Sequence, residues 1–583
     1  MRKIYLSKTE KALTYTLLCI PLALLTLGIY HGLMQTLYRS GMISQTSFAA
    51  LEYYQGLTLH GVINALVLTT FFAVAFGHVC MRYYTGYKLN MTTAWISAGM
   101  MIAGTVLAAV MILSGNASVL YTFYAPMKAH PLHYIGNVLL ITGSWVAFFG
   151  WIGMYRKWRR EHKGERIHLA VVATMANFIM WFVCSIAVVY SLLLLLLPRS
   201  MGLTPTVNVP MTRTLFWFFG HALVYFWLLP VYLMYYVMLP TLAGGKLYSD
   251  NAGKFVFFLF LVFSIPVGTH HQFAEPTITQ GVKFFQSLLT YGVALPSFIT
   301  AFTLAASLEY AAWRKGHRSK NPFSWMTKLP FFEKDRYLFS YLICGLIIFI
   351  IGGLTGMINA SYVLSSLVHN TAFLPGHFHM TVAGPVFLGI LGMSLYLLER
   401  LSGKEIRLKR INNAIPYLWT IGMFIFSAGL MVGGFRGEPR RTNMGISYMD
   451  PDSPLYRPDW VWTTGTTVIG GVILFAAAGL FFIVLLDLLF AKKSKESYLS
   501  FPTYDTVHKE KVIPFLNSFK PWIIIMLALI MVAYVPAILN VLEFTGREAP
   551  PYEPQNPNPI ELYQPEAGTD VGDAETYKLD QNE

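Results

Sequence analysis

Stretches of about 20 or more mostly apolar residues recur thirteen times along the 583-residue chain, near 12–38, 57–84, 92–114, 133–155, 169–197, 212–242, 253–272, 284–312, 338–360, 375–400, 413–435, 461–490 and 518–542. Each, coiled as a helix, matches the ~30 Å hydrocarbon core of a bilayer. In lipid every backbone polar group needs a partner within the protein, which leaves helices and closed barrels as the spanning structures. These runs are too long and too uniformly apolar for barrel strands. The expectation is an all-α integral membrane protein of about 13 transmembrane helices packed in one bundle. Composition agrees: 55% of residues are hydrophobic and 12% charged, where soluble domains carry about 25% charge.

The net charge of +14 would suggest nucleic acid as a partner if it formed one patch, but it does not. Lys and Arg concentrate in alternate loops, as at 156–166, 314–318, 400–410 and 492–511, and the loops between are poor in both. That alternation is the positive-inside pattern. Across thirteen spans it puts the N-terminus inside and the C-terminus outside, and it argues for lipid rather than nucleic acid as the partner. The first apolar stretch is long enough to remain as a span rather than act as a removable leader. The chain divides into a membrane-embedded domain, 1–545, and an acidic, Pro-rich external tail, 546–583, whose composition predicts an extended or disordered segment. Four cysteines, Cys19, Cys80, Cys184 and Cys344, fall in separate spans without a CxxC or CxxCH pattern. They therefore encode no disulfide framework, thiolate metal site or covalently attached heme.

Fifteen histidines remain to be explained, and ionisable groups inside spans suggest function. With the orientation above, His60 lies in the first turn of span two and His221 in the outer half of span six. His270 and His271 lie at the outer end of span seven, and His377 and His379 in the first turns of span ten. Six imidazoles from four helices thus share one depth. An α-helix turns about 100° per residue, so His377 and His379 project from opposite faces and suit two different metals. His270 and His271 can both reach one ion if the helix distorts, and Pro266 and Gly268 precede them. Imidazole suits copper and iron. His78, at the inner end of span two, reads as structural.

These histidines lie in LTLHGVINAL, GHALVYFW, VGTHHQF and HNTAFLPGHFHM. With those four segments in that order, the chain resembles subunit I of the heme-copper oxidase superfamily over nearly its full length, and its B-family in particular. The resemblance implies His60 and His379 as axial ligands of a low-spin heme, expected to be of b type. It implies His377 as proximal ligand of a high-spin heme of a or o type, and His221, His270 and His271 as ligands of the copper B ion. The ligand set itself is common to b, o and a hemes. Tyr225, one turn inward of His221, corresponds to the tyrosine that is joined covalently to a copper-ligand histidine and supplies an electron and a proton. Leu223 stands where the mitochondrial-like branch has a glutamate, and the glutamates of nitric oxide reductases are missing.

Tyr232 and Tyr236 on span six, with Ser297 and Thr300 on span eight, form a hydroxyl ladder resembling the family's single proton path, and Thr303, next along span eight, reads as a hydroxyl satisfied by its own backbone. Glu309, at the inner end of span eight, is either the mouth of that path or an interfacial anion. Arg440 and Arg441 break the positive-inside pattern and suit heme propionates. His369 and Asn370 resemble the propionate-side residues, whereas Ser365 stands where an acidic residue is expected. The implied function is that of a terminal respiratory oxidase in a prokaryotic cell (inner) membrane, reducing dioxygen to water with proton uptake and pumping. The implied partners are a subunit II bearing the electron-accepting copper centre and cytochrome c, or quinol, as donor. The rivals are a quinol oxidase or nitric oxide reductase of the superfamily and, in another class, a proton-coupled transporter.

Overall fold

The computed structural model describes residues 2–44, 51–318, 321, 323–502 and 504–544; the tail at 546–583 lies outside them. Among the described residues the chain is helical throughout, with three isolated β-bridges. The helices are α1 (Lys8–Arg39), α2 (Tyr53–Thr85), α3 (Met91–Leu113), α4 (Pro131–Glu161), α5 (Leu169–Ser200) and α6 (Val209–Val237). They continue as α7 (Asp250–Phe263), then α8 (Gln280–Arg314), α9 (Lys334–Ala360), α10 (Phe373–Ser402), α11 (Lys409–Phe435), α12 (Pro458–Phe490) and α13 (Lys520–Glu543). Twelve are long and apolar enough to cross a membrane. The predicted seventh span, 253–272, is the exception. Its regular helix α7 has only 14 residues, and after Ser264 the chain breaks and re-forms as a 3-10 turn, Gly268–Gln272. Pro266 brings no N–H to continue the ladder. Gly268 has no room for a side chain, because a Cβ there would lie 2.1 Å from the Trp217 carbonyl oxygen and 2.3 Å from the Tyr534 hydroxyl.

Local chemistry sets where the helices start. Ser7 and Glu10 form a reciprocal capping box at α1, and Asn90, Asn208 and Ser249 accept from the first turns of α3, α6 and α7. Burial then sorts the bundle. In the most apolar windows of α2, α10 and α6, 94%, 89% and 78% of residues are buried, against 28–50% for the other long helices. The three helices that carry His60, His221, His377 and His379 therefore form the centre, and the rest turn a face to lipid. Two of the three widen locally near their ligands: α2 has a π-helical turn at Val62–Val67 and α10 one at His379–Ala383, ahead of Gly384 and Pro385. Such turns recur at functional sites.

Candidate metal and heme centre

A cavity of about 530 Å³ runs within the bundle, and all six histidines line it. On one side the His60 and His379 rings lie 6.4 Å apart, centroid to centroid, with planes 16° from parallel. With metal–nitrogen bonds of about 2 Å, two imidazoles facing each other across one ion have centroids about 6 Å apart. His60 Nδ1 is 2.7 Å from the Gly28 carbonyl and His379 Nδ1 2.7 Å from the Pro375 carbonyl. A carbonyl only accepts, so each Nδ1 carries the proton and each Nε2 keeps its lone pair for a metal. Gly32 makes room for His60: a Cβ there would lie 2.8 Å from the ring.

Farther along the cavity, His377 Nδ1 lies 2.9 Å from Thr355 Oγ1 and 3.2 Å from the Gly352 carbonyl. The threonine hydroxyl donates to Gly352, so His377 is again the donor and its Nε2 is free. The same logic fixes His270, whose Nδ1 lies 3.1 Å from Thr290 Oγ1 while Thr290 donates to the Gln286 carbonyl. Phe378 is the single residue between His377 and His379 along α10.

His221, His270 and His271 each offer a ring nitrogen within 4.8 Å of the others. His221 Nδ1 and His271 Nε2 are 3.3 Å apart, which is the separation of about 3.3 Å that two ligands have on a tetrahedral ion with 2.0 Å bonds. His271 is held by face-to-face stacking on Trp217, centroids 3.8 Å apart. His221 Nε2 is buried without a hydrogen-bond partner, and the His221 and Tyr225 ring centroids are 4.9 Å apart. An orphaned ring nitrogen in an apolar interior is costly unless something bonds to it. The donor set, three neutral imidazoles with no carboxylate or thiolate, fits copper.

The hydroxyl ladder divides into two rungs. Tyr232 and Ser297 share a hydrogen bond of 3.1 Å, and Tyr236 donates to Thr300 at 3.0 Å. Thr303 donates to the Ile299 carbonyl, the backbone role that threonine often takes in helices. Glu309 is exposed.

Arg440 and Arg441, from the loop after α11, also line the cavity. Arg440 donates to Asn370 Oδ1 at 2.8 Å, and Arg441 lies over the Tyr124 ring. Burial and the adjacent Arg441 push the Arg440 guanidinium down to about 10. Burial, Arg440 and Arg213 push His369 down to about 4. Burial is the larger cause of both shifts and neighbouring cations add to it, an environment that an anionic group would relieve.

Several supporting residues escaped the sequence reading, among them Trp217, Thr290, Thr355 and the carbonyls of Gly28 and Gly352. So did the buried pair Arg39–Glu438, at 2.6 Å, and the pair Arg213–Glu275. Nothing local in the sequence marks them. They act through partners up to 399 positions away.

Comparison with known proteins accords with this geometry. The sequence model of the family described as cytochrome C and quinol oxidase polypeptide I matches residues 12–473. Cytochrome c oxidase subunit 1 of Thermus thermophilus is 36% identical over 551 residues, covering 92% of this chain and 96% of that protein. A heme-copper oxidase subunit I+III of Aeropyrum pernix is 25% identical over 455 residues, 72% of this chain and 50% of the relative. Among solved structures, a heme-copper terminal oxidase dimer superposes with a TM-score of 0.92 at 45% identity, covering 95% of this chain and 97% of that one. The chain belongs to the cytochrome c and quinol oxidase polypeptide I family, the multi-pass membrane subunit I of heme-copper terminal oxidases.

Proposed function

We propose that this subunit reduces dioxygen to water with electrons from cytochrome c. In this reading His60 and His379 hold a low-spin heme of b type, His377 holds a high-spin heme of a or o type, and His221, His270 and His271 hold copper B. The observation that carries it is the division of six buried imidazoles, along one cavity, into an opposed pair, a single ligand and a triad. When bound, the hemes and copper supply electron storage and dioxygen activation.

The chain's own residues orient, neutralise and deliver. Carbonyl and hydroxyl partners keep His60, His379, His377 and His270 neutral with Nε2 facing the cavity. Tyr225, its ring beside that of His221, is the residue to be bonded to that imidazole and to give up its phenolic proton. The rungs Tyr232–Ser297 and Tyr236–Thr300 pass protons outward from the inner side, and the family's pumping of further protons rests on the same ladder. Arg440 and Arg441, with His369 and Asn370 beside them, bind the propionates, which accounts for two adjacent guanidiniums lining the cavity on the outer side. All four cysteines are free and sit on different helices. A paired-thiolate copper centre for accepting electrons therefore belongs to a partner, which we assign to subunit II.

A reduced-minus-oxidised optical spectrum with metal analysis tests the cofactors, with two hemes and one copper expected per chain. Oxygen uptake with reduced cytochrome c, set against quinol and against nitric oxide as alternative substrates, tests the reaction. Turnover with quinol alone, or with nitric oxide alone, would overturn it.

A further inference from the structure

A second cavity, of about 390 Å³, opens at the opposite end of the bundle from the metal ligands, between the inner ends of α1, α10 and α12. This volume lies within the range of about 300–1,000 Å³ typical of ligand pockets. Its rim carries three lysines, Lys11, Lys404 and Lys493, and its wall is apolar, with Tyr15, Leu398 and Leu488. The rim is built rather than incidental. Gly403 turns the chain out of α10 with φ +68°, and its carbonyl accepts from the amides of Ser494 and Lys495. Lys11 donates to Ser497 Oγ at 2.5 Å, and Lys404 donates to the Leu489 carbonyl. Those contacts fix two ammonium groups at the mouth without neutralising either.

Among the described residues the carboxylates nearest this rim are engaged elsewhere, Glu399 by the Tyr337 hydroxyl and the Ile406 amide. Glu405 is taken by Lys409 and Lys495, Glu496 by Lys3, Asp487 by Arg407, and Glu10 by Arg82. Among the described residues none of Lys11, Lys404 and Lys493 has a carboxylate within ion-pair distance. Three cations thus converge on an apolar cleft, on the side that the Lys- and Arg-rich loops mark as inner. Basic pockets between transmembrane helices on that side are suited to anionic headgroups.

We propose that this cleft binds one anionic glycerophospholipid of the inner leaflet. Its phosphodiester lies among Lys11, Lys404 and Lys493, and its acyl chains run down the wall of Tyr15, Leu398 and Leu488. The lipid ties α1, α10 and α12 together below the low-spin ligands His60 and His379. A soluble anion would need the lysines but have no use for the apolar wall. A zwitterionic lipid would use the wall but leave the lysine charge unanswered.

The test is phosphatidylglycerol binding to the purified holoenzyme by native mass spectrometry, with phosphatidylcholine and inorganic phosphate as separate probes. The variant is Lys11→Gln/Lys404→Gln/Lys493→Gln, and a control changes Lys157, Lys163 and Lys328 instead. Three surface lysines together amount to about a hundredfold in affinity. The wild type and the control should retain one phosphatidylglycerol that the variant binds about a hundredfold more weakly. Equal retention by variant and control, equal binding of phosphatidylcholine, or phosphate binding that displaces no lipid would each overturn the proposal. Should the variant lose its hemes, the wild type decides alone. A diazirine-bearing phosphatidylglycerol must cross-link within the peptides bearing Lys11, Lys404 and Lys493, and cross-links elsewhere only would refute it.

Discussion

The pair Arg39–Glu438 offers a quantitative handle on how the outer arginines are held. Glu438 is completely buried, and Oε1 accepts from Arg39 Nη2 at 2.6 Å. Its other oxygen accepts from Thr463 at 3.2 Å. Arg39 also donates to the carbonyls of Pro439 and Thr442, on either side of Arg440 and Arg441. The Glu438 carbonyl receives the Ala372 amide at 2.7 Å, and Arg440 N–H donates to the Asn370 carbonyl at 3.1 Å. One buried charge pair therefore joins α1, the 369–372 turn and the 438–442 loop. Removing one partner strands a charge in low dielectric, a cost of about 3–5 kcal/mol, whereas replacing both with apolar residues of similar volume is often close to neutral. Glu438→Leu and Arg39→Met alone should each lose that much, and the double variant should recover most of it. Two such single losses against a nearly neutral double give a coupling energy of about 5 kcal/mol or more, far above the error of additivity. The assay is a denaturant titration of the detergent-solubilised enzyme, followed by low-spin heme absorbance. Single variants that each cost under about 1 kcal/mol and simply add in the double would refute the assignment of this pair as the clasp.

Three further outcomes follow from the site and the helix ends. Thr290→Val removes the acceptor that fixes His270 Nδ1–H and should weaken copper retention about 10–100-fold, read by metal analysis with the low-spin heme spectrum unchanged; full copper occupancy would argue that His270 is no ligand. Tyr225→Phe should leave the heme spectra intact and cut oxygen turnover by at least about 10²-fold, the usual size of a lost proton donor. His168, just ahead of α5, accepts the Ala170 amide through Nδ1 at 3.1 Å, and burial holds it down at about 4. Its folded pKa lies below the ordinary value of about 6.5, so the neutral form is the one that stabilises. That contribution is complete above pH 6.5 and is lost as pH falls from about 6.5 towards 4. Loss of the cap is worth about 1–2 kcal/mol. The variant His168→Asn, which caps without titrating, should flatten this part of the stability–pH profile.

The sequence made the architecture legible because lipid enforces it. Long apolar runs and alternating basic loops are consequences of the bilayer, and twelve of the thirteen expected spans are continuous helices of membrane-spanning length. The histidines could be grouped by depth because helix direction and rise are fixed once the spans are known. What was hidden has a common physical cause. His60 needs the carbonyl of Gly28 on α1, His377 needs Gly352 and Thr355 on α9, and Arg39 finds Glu438 across nearly the whole chain. Such partners are chosen by packing between helices, and a carbonyl leaves no trace in the residue type that bears it. The ladder shows the intermediate case. Helical spacing suggested Tyr232, Tyr236, Ser297 and Thr300 and set Thr303 apart as bonded to its own backbone; Thr300 and Thr303 both donate to backbone carbonyls, and Thr300 in addition accepts from Tyr236.

The break in the seventh span is what the proposed copper site, three imidazoles on one ion, would demand. Consecutive residues of a regular helix diverge by about 100°, so His270 and His271 cannot both face His221 from an undisturbed α7. Irregular backbone inside a membrane protein is tolerated where it is buried in protein, and Thr269 and His270 are buried. The tight 3-10 turn is possible because Gly268 lets the chain pass under α6, its amide donating to Tyr534 at 3.1 Å. Gly268→Ala would put a methyl group 2.1 Å from the Trp217 carbonyl oxygen, about 1 Å inside any normal contact, and the turn must yield. Overpacking of this kind costs about 1–3 kcal/mol, and a 1 Å displacement of reacting groups about 10²-fold in rate. The expected phenotype is selective: reduced copper and turnover, with the His60–His379 spectrum preserved, since those ligands lie on α2 and α10. If Gly268→Ala kept full copper and full turnover, the turn would not be what aims the two histidines, and the reason for breaking this helix would have to lie elsewhere.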